Sequence, residues 1–308
     1  MKKVYVLGSI NLDLVMQMER MPKLGESVIG SGFFANQGGK GANQAVACSK
    51  LGCDCTFLGS VGKDENATKL LSSLHSYGVK TDAVQFSDFP SGTCIILFDL
   101  TKQDNLLVVD PGANMHVDPN FITSYLRDHA SLGDLFVTQL ETNLTAVEAG
   151  LSVAKELGLF TVLNPAPART LPASILENVD LIVPNETEAF ALTGVLPDSD
   201  ETILEIFRQL SSLGAKELII TLGRNGSVHV RNQLITHYSA TVATAVDTTS
   251  AGDTFIGAIC AQLSKGISLE EAIPFASSCA AITVSRRGAA VSIPTEAEVQ
   301  QLLFKNDM

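Results

Sequence analysis

The fold of this 308-residue chain is decided by VDLIVPNE (residues 179–186), ETILEIFRQLSSLG (201–214) and ELIITLG (217–223). The first and last runs have the length and β-branched content of strands buried on both faces, whereas the middle one has helical spacing and stops at a glycine. A strand, a helix and a strand in this order form a right-handed crossover between parallel strands. This unit predicts an α/β fold.

The same alternation extends over most of the chain. Further strand-like runs are KVYVLGS (3–9), CTFLGSVG (55–62), DLFVTQLE (134–141) and LFTVLNP (159–165). Further helical segments are KGANQAVACSKLG (40–52), NATKLLSSLHSYG (66–78) and NLTAVEAGLSVAKELG (143–158). We therefore predict a mostly parallel, doubly wound sheet with helices on both faces, in a single domain over residues 1–308.

Two segments, 12–36 and 91–109, interrupt this alternation because they are strand-like and contain turn signals without a helix between their strands. We predict that they form a small β-sheet that projects from the main domain as a lid. Its predicted apolar face consists of Ile95, Leu97, Leu106 and Val108. A second copy of the chain could cover this face and the strand edges, which predicts a homodimer through the lid.

The composition excludes several classes of protein. A hydrophobic content of 45% with 18% charged residues indicates a compact globular chain, and a net charge of −12 argues against nucleic-acid or anionic-membrane partners. Asn11 and Asp13 break the only apolar run that resembles a signal peptide, and no run approaches the ~18 residues of a membrane span. Six cysteines without a C-x-x-C pair indicate neither a disulfide framework nor a zinc site. We expect a reduced, cytoplasmic protein.

Asp253, in AVDTTSAGDTFIGAICAQL (245–263), directly follows a glycine where an apolar helix should begin. A helix N-terminus favours a carboxylate, so capping alone would explain this residue. Ligands of parallel sheets, however, bind at the carboxyl ends of the strands. The polar or glycine residues that follow the predicted strands there are Asn11, Asp13, Glu141, Asn164, Asn185, Glu188, Thr221 and Gly223.

Three other motifs each allow a structural and a functional interpretation, and neither the P-loop nor the dinucleotide fingerprint is present. In GGKGANQA (38–45), Asn43 either caps a helix or points into a binding site. TLGRNG (221–226) either presents N–H groups to an anion or turns into a hairpin. In PNETEA (184–189), Glu188 either complements the helix dipole or positions Mg²⁺.

Taken in order, GSINLD, GGKGANQA, LNPAPA, PNETE, TLGRNG and DTTSAGDTF resemble the motifs of the ribokinase branch of the phosphofructokinase-B-type carbohydrate kinases. The resemblance covers essentially the whole chain, and GGKGANQA and DT-x-x-AGD-x-F are highly specific. It implies an ATP- and Mg²⁺-dependent phosphotransferase with an alcohol group as acceptor, which phosphorylates the 5-hydroxyl of D-ribose in ribose catabolism.

Other acceptors stay open, namely 2-deoxyribose, fructose or a nucleoside. Asn11 favours ribose, because it offers a polar group near the secondary hydroxyls of the sugar, where an enzyme for deoxyribose needs none. Met16, Met18, Phe33 and Phe34 could form a platform for a nucleoside base, but lid packing explains them equally well. A non-catalytic sugar sensor is disfavoured by the intact AGD motif, and a dehydrogenase by the missing fingerprint.

The resemblance also assigns roles to individual positions. Asp253 would be the catalytic base, and the amides of Ala251, Gly252 and Asp253 would hold the transferring phosphoryl group. The sugar pocket would comprise Asn11, Asp13, Gly39, Lys40, Asn43 and Glu141. ATP would contact Asn185, Thr221, Gly223, Gly226, Gly252 and Ser277, with Glu188 positioning Mg²⁺ through water. A monovalent cation, usually K⁺, would be bound by Asp247, Thr249, Thr283, Arg286, Gly288 and Ser292.

Two positions depart from the family pattern. Ser250 replaces an alanine or glycine before the AGD motif, and because serine is small we expect no loss. Ser277 stands where some relatives place a histidine against adenine, so nucleotide affinity or base preference is open there.

Overall fold

The structure, a computed structural model, describes residues 1–102 and 104–306. Gln103, within the predicted lid segment 91–109, and Asp307 and Met308, at the end of the predicted domain 1–308, lie outside the described residues. The strands are β1 Val4–Leu7, β2 Asn11–Met18, β3 Ser31–Gly38, β4 Cys55–Gly62, β5 Val84–Ser87, β6 Gly92–Asp99, β7 Asp104–Asp110, β8 Leu135–Thr138, β9 Phe160–Leu163, β10 Leu181–Ile182, β11 Glu217–Thr221, β12 Ser227–Arg231 and β13 Leu234–Tyr238. The helices are α1 Lys40–Lys50, α2 Glu65–Ser76, α3 Pro119–His129, α4 Leu144–Glu156, α5 Ala173–Leu176, α6 Glu186–Thr193, α7 Asp200–Ser212, α8 Ala251–Ser264, α9 Leu269–Val284 and α10 Glu296–Asn306.

The main sheet has nine strands in the order β13-β12-β11-β10-β9-β8-β1-β4-β5. Its pairs are parallel from β5 to β11, and β12 and β13 add an antiparallel hairpin at one edge. The predicted fold class is thereby confirmed. Two helices, α6 and α7, lie between β10 and β11, where the sequence predicted a helix start at PNETEA and a helical run from residue 201. Gly194, at φ 74°, ends α6 and separates the two helices.

Alternation along β1 explains why helices cover both faces of this sheet. Val4 and Val6 belong to a core that includes buried residues of α1, α8 and α9. Tyr5 and Leu7 point to the opposite face and belong to a second core that includes buried residues of α4 and α7. The two helices that carry the AGD and GGKGANQA motifs therefore pack side by side on one face.

The second sheet has the order β3-β2-β6-β7 and is built from the two predicted lid segments. β2 pairs with β6 in parallel, and the two outer pairs are antiparallel. Ile95, Leu106 and Val108 share one face and are each about half exposed. Asn11 and Asp13 lie on the other face, because neighbouring positions along a strand alternate. Its action as a lid stays a prediction.

All six cysteines are free and buried. Within residues 1–102 and 104–306, no helix is long and apolar enough to cross a bilayer.

Candidate active site

The start of α8 presents unpaired backbone N–H groups at the edge of the main sheet. Ser250 precedes the helix in a left-handed conformation at φ 60°. Ala251 N–H already donates to Thr248 O at 3.3 Å, whereas the described residues offer no acceptor to the N–H groups of Gly252 and Asp253. Of the three amides assigned to the phosphoryl group, two are therefore free to bind an anion.

Gly252 faces open space, since a Cβ built on it would meet no atom within 4 Å. The absence of a side chain is thus not needed for packing here, and it leaves the backbone of α8 accessible to a ligand.

Asp253 is buried in the first turn of α8 and accepts two hydrogen bonds from α1. Asn43 Nδ2 donates to its Oδ2 at 3.2 Å, and Gln44 Nε2 donates to its Oδ1 at 3.1 Å. Burial raises the pKa of Asp253 above its usual value, and this effect outweighs the opposing influence of Lys40 and the two amides. The carboxylate is thus held in place by amides rather than by an ion pair.

Asn43 does not cap α1, although the sequence left that interpretation open. Gly39, at φ 91°, is the N-cap residue. The Asn43 amide instead reaches α8, where it also donates to Ser250 Oγ at 3.0 Å.

A cavity of about 180 Å³ opens at this point, and we call it the α8 cleft. Its lining includes seven residues that the sequence assigned to the site: Lys40, Asn185, Glu188, Thr221, Ala251, Gly252 and Asp253. Its other lining residues are Asn164, Val183, Thr248, Ser250 and Ile256. Residues separated by more than 200 positions in the sequence therefore meet in one small volume.

Glu141 lies behind the backbone of the glycine-rich segment. Its Oε2 accepts from Ser9 Oγ at 2.6 Å and from Lys40 N at 3.2 Å. Burial lowers the pKa of the Lys40 ammonium, but the charges of Asp253, Glu141 and Glu188 outweigh it and the net shift is upward. The Lys40 ammonium is therefore held in its charged form by three nearby carboxylates.

The side chain of Asp13 has a raised pKa. Burial, with a smaller contribution from the charge of Glu141, raises its pKa to about 7. It stands close to the glycine-rich segment, because a Cβ on Gly38 would lie 2.0 Å from its Oδ2. A ligand that donates hydroxyl hydrogens to Asp13 would favour its ionised form.

The amide orientation of Asn11 is fixed by Asn114, a buried residue that the sequence analysis missed. Asn114 Oδ1 accepts from Ile10 N at 2.9 Å, and its Nδ2 donates to Ile10 O at 3.2 Å. The same Nδ2 donates to Asn11 Oδ1 at 2.8 Å. Asn11 therefore keeps its Nδ2 donor for a ligand, since no described residue accepts from it.

Asn185 and Glu188 form a capping box at the start of α6. Asn185 Oδ1 accepts from Glu188 N at 2.8 Å, and Glu188 Oε2 accepts from Asn185 N at 2.9 Å. Thr221 lies alongside, bridged to Asn185 at the end of β11. Glu188 thus caps the helix and also lines the α8 cleft, and its positioning of Mg²⁺ stays a prediction.

Gly223, Gly226 and Ser277 do not line the α8 cleft. Gly223, at φ 53°, has open space where a Cβ would be, so only its conformation requires glycine. A Cβ on Gly226, at φ 94°, would lie 1.9 Å from Tyr238 O, so this glycine is required by the β12–β13 hairpin. Ser277 Oγ accepts from Thr241 N at 2.9 Å and holds the segment that leads towards α8.

Five of the six residues assigned to a monovalent cation lie in two loops that Asp247 joins, and Thr283 lies in the last turn of α9. Its Oδ1 accepts from Thr249 N at 2.9 Å and its Oδ2 from Gly288 N at 3.0 Å. These bonds and others lower the pKa of Asp247 despite its burial. Within the described residues, the carbonyl oxygens of Thr249 and Gly288 accept no hydrogen bond, which leaves them able to coordinate a cation.

The other three cation-site residues have internal partners. Thr283 Oγ1 donates to Thr254 Oγ1, and Ser292 Oγ donates to Ala289 O. The Arg286 guanidinium pairs with Glu298 at 2.7 Å, so only the backbone of Arg286 is suited to a cation.

Gln44, Gln139 and Asn114 are buried amides that support the site, and sequence reasoning assigned none of them. Gln44 stands inside the quoted motif GGKGANQA, which was the available signal. Gln139 and Asn114 lack any local signal, because their partners are about 95 to 104 positions away in the chain.

The sequence of residues 1–296 matches the family model of the pfkB family carbohydrate kinases. A ribokinase of Schizosaccharomyces pombe is 39% identical over 310 residues, covering 97% of each chain. A ribokinase of Staphylococcus aureus is 36% identical, covering 97% of this chain and 99% of its own. The structure of Arabidopsis thaliana ribokinase complexed with ribose and ATP superposes with a TM-score of 0.89 at 29% identity, covering 98% of both chains.

Proposed function

The chain belongs to the pfkB family of carbohydrate kinases, and on that premise we propose that it transfers the γ-phosphate of ATP to the 5-hydroxyl of D-ribose. The products are ribose 5-phosphate and ADP. The observation that carries this proposal is the α8 cleft, in which the Asp253 carboxylate, two free helix amides and the Lys40 ammonium converge.

Asp253 is the proton acceptor. As the sugar oxygen bonds to the γ-phosphorus, the bond from that phosphorus to the bridging oxygen of ADP breaks, and the hydroxyl proton passes to Asp253. An aspartate is a weak base for an alcohol, so proton transfer is late and orientation of the hydroxyl comes first. The N–H groups of Gly252 and Asp253 donate to the oxygens of the transferring group, where negative charge is concentrated.

The sugar is recognised by a hydrogen-bond donor on Asn11 and an acceptor on Asp13. Asn11 donates through Nδ2, and Asp13 accepts from hydroxyls, so vicinal hydroxyls are bound by one donor and one acceptor. A site built in this way rejects analogues that lack one of the hydroxyls, because its buried polar groups then lose a partner.

Glu188 fits Mg²⁺, because one carboxylate oxygen is used by the capping box and the other is available to a bound water. Mg²⁺ bound with ATP would neutralise phosphate charge. The loops joined by Asp247 suit K⁺, whose ligands would include the carbonyl oxygens of Thr249 and Gly288.

A homodimer through the second sheet is supported by the half-exposed apolar residues Ile95, Leu106 and Val108 on its outer face. The same sheet would act as a lid that keeps water from competing with the sugar as phosphoryl acceptor. A cytoplasmic location is supported by the six free thiols, which are typical of a reducing compartment.

The test is ATP consumption with Mg²⁺ and K⁺ present, using ribose, 2-deoxyribose, fructose and adenosine in parallel. We expect the rate with ribose to exceed the others by about tenfold or more, since a lost hydroxyl leaves buried groups unpaired. A higher rate with another acceptor would overturn the assignment of ribose but not of the kinase. No turnover with any acceptor would favour a sugar sensor.

Asp253→Asn is the variant that follows. We expect kcat with ribose to fall by about 10²–10⁴-fold, because the variant cannot accept the proton. Circular dichroism would show whether it folds, and a folded variant with normal kcat would contradict the role of Asp253.

A further inference from the structure

Gln44 is a fully buried amide on α1 that touches the catalytic carboxylate without lining the α8 cleft. Its Nε2 lies 3.1 Å from Asp253 Oδ1 and 3.2 Å from Asn164 Oδ1. Its Oε1 accepts from Gln139 Nε2 at 2.7 Å. The five atoms that form these hydrogen bonds belong to four buried side chains.

The orientation of the Gln44 amide is anchored on a backbone carbonyl. Asn164 Nδ2 donates to Val183 O at 3.0 Å, and a carbonyl can only accept. The Oδ1 of Asn164 therefore faces Gln44 as an acceptor, and Gln44 must donate to it through Nε2. Flipping Gln44 would place its Oε1 against Asn164 Oδ1 and the Asp253 carboxylate, which are both acceptors. The donor of Gln44 is thus directed at Asp253.

We propose that Gln44 is a positioning residue for phosphoryl transfer, which fixes the Asp253 carboxylate in the α8 cleft and keeps it able to accept the sugar's proton. The inference rests on the proposed function. Gln44 acts on the reaction through Asp253, whereas the residues of the sugar pocket contact the substrate directly.

The charges around Asp253 explain why such a donor is needed. The groups that face it are Lys40 from α1 and Glu141 from the segment after β8, and Glu188 from α6 acts on Lys40. Burial favours the neutral form of Asp253, and Glu141 acts in the same direction. Lys40 and the amides of Asn43 and Gln44 favour the ionised form. Without the donor of Gln44, Asp253 would hold its proton to a higher pH.

The test is the dependence of kcat on pH for wild type and Gln44→Met, a side chain of similar length without a donor. We expect the acidic limb to move up by about one pH unit, so that kcat at a pH on that limb falls about tenfold. The KM for ribose should stay within about twofold of the wild-type value. In the part of the chain that the structure describes, the Gln44 side chain forms no hydrogen bond with a side chain of the sugar pocket, and it is linked to Asn43 only as its neighbour in the chain. Gln262→Met is the matched control: Gln262 is a buried amide of α8 whose side chain has no hydrogen bond among the described residues, so the limb should not move.

A uniform loss of kcat at every pH in Gln44→Met would overturn the inference, because a merely structural role predicts that result. Should this variant not fold, Gln139→Met decides, since it releases Gln44 Oε1 and leaves Asp253 and the sugar contacts intact. An unmoved limb in Gln139→Met would then overturn the inference. A wild type without ribose-dependent turnover would instead show that the proposed function itself is wrong.

Discussion

Two glycines of α8 separate the requirements of catalysis from those of packing. A Cβ on Gly252 would enter open space, whereas a Cβ on Gly257 would lie 2.4 Å from Ala47 Cβ and 2.9 Å from Gln44 O. Both sit in the same helix, so their helical propensities are matched.

We therefore expect Gly252→Ala to lower kcat by about 10²-fold or more with an unchanged or slightly higher Tm, because the added methyl group keeps phosphate from the amides. Gly257→Ala should lower the free energy of unfolding by roughly 1–3 kcal/mol, because α1 must shift. Steady-state kinetics and thermal denaturation of both variants test this. A destabilised Gly252→Ala would contradict the open space assigned to this position.

Asp13 makes the stability of the ligand-free protein depend on pH. Its pKa is about 7 in the folded chain and ~3.9 when unfolded. Between these values the folded state holds a proton that the unfolded state has released, so the free energy of unfolding falls as the pH rises from about 4 to 7.

Asp13→Asn removes this penalty because an amide does not ionise. We expect the variant to be more stable than wild type by roughly 1–2 kcal/mol at pH 8 and by little at pH 4.5. Thermal denaturation without sugar at both pH values measures the difference. An equal difference at both pH values would show that the penalty does not come from ionisation of Asp13.

Among the elements, the loops joined by Asp247 determine the predicted response to K⁺. Asp247→Ala removes the acceptor for Thr249 N and Gly288 N, so the two loops lose their link. We expect the increase in kcat on adding KCl, relative to choline chloride at equal ionic strength, to disappear. Asp88→Ala, at an exposed ion pair with Lys63, should keep the increase. Persistence of K⁺ activation in Asp247→Ala would rule out this site.

How far the sequence predicts each element depends on the range of the interactions that form it. The parallel strands and the helices that end at glycines carry local patterns, and these predictions are confirmed. The start of α6 was predicted from its cap at Asn185, but its end at Gly194 was not, because that stretch has no clear periodicity.

The site shows the same limit. The roles of Asn43 and Gln44 come from contacts with Asp253 across about 210 positions, which no local pattern encodes. Asn43 could therefore be read from the sequence as a helix cap as easily as a site residue. The packing requirement at Gly226 likewise comes from a contact with Tyr238 that no local pattern encodes, and its assignment to ATP stays a prediction.

At the scale of the whole molecule, the second sheet predicts the oligomeric state. Val108→Lys places a charge on the face that Ile95, Leu106 and Val108 share, and it should convert a dimer into monomers in analytical ultracentrifugation. Leu132→Lys changes a more exposed apolar residue outside this sheet and should leave the dimer intact. A monomeric wild type would exclude the proposed interface.

The position of β1 in the main sheet has a consequence for how the chain is made. β1 pairs on one side with β4 and on the other with β8, which begins 131 residues after β1 begins. During synthesis the first strand therefore waits, half of its hydrogen bonds unpaired, until the ribosome has released residues beyond 138. At about 5–20 residues per second this wait lasts on the order of ten seconds. In that interval the edge of β1 that later pairs with β8 is open, and a nascent-chain chaperone would find its binding site at that strand edge.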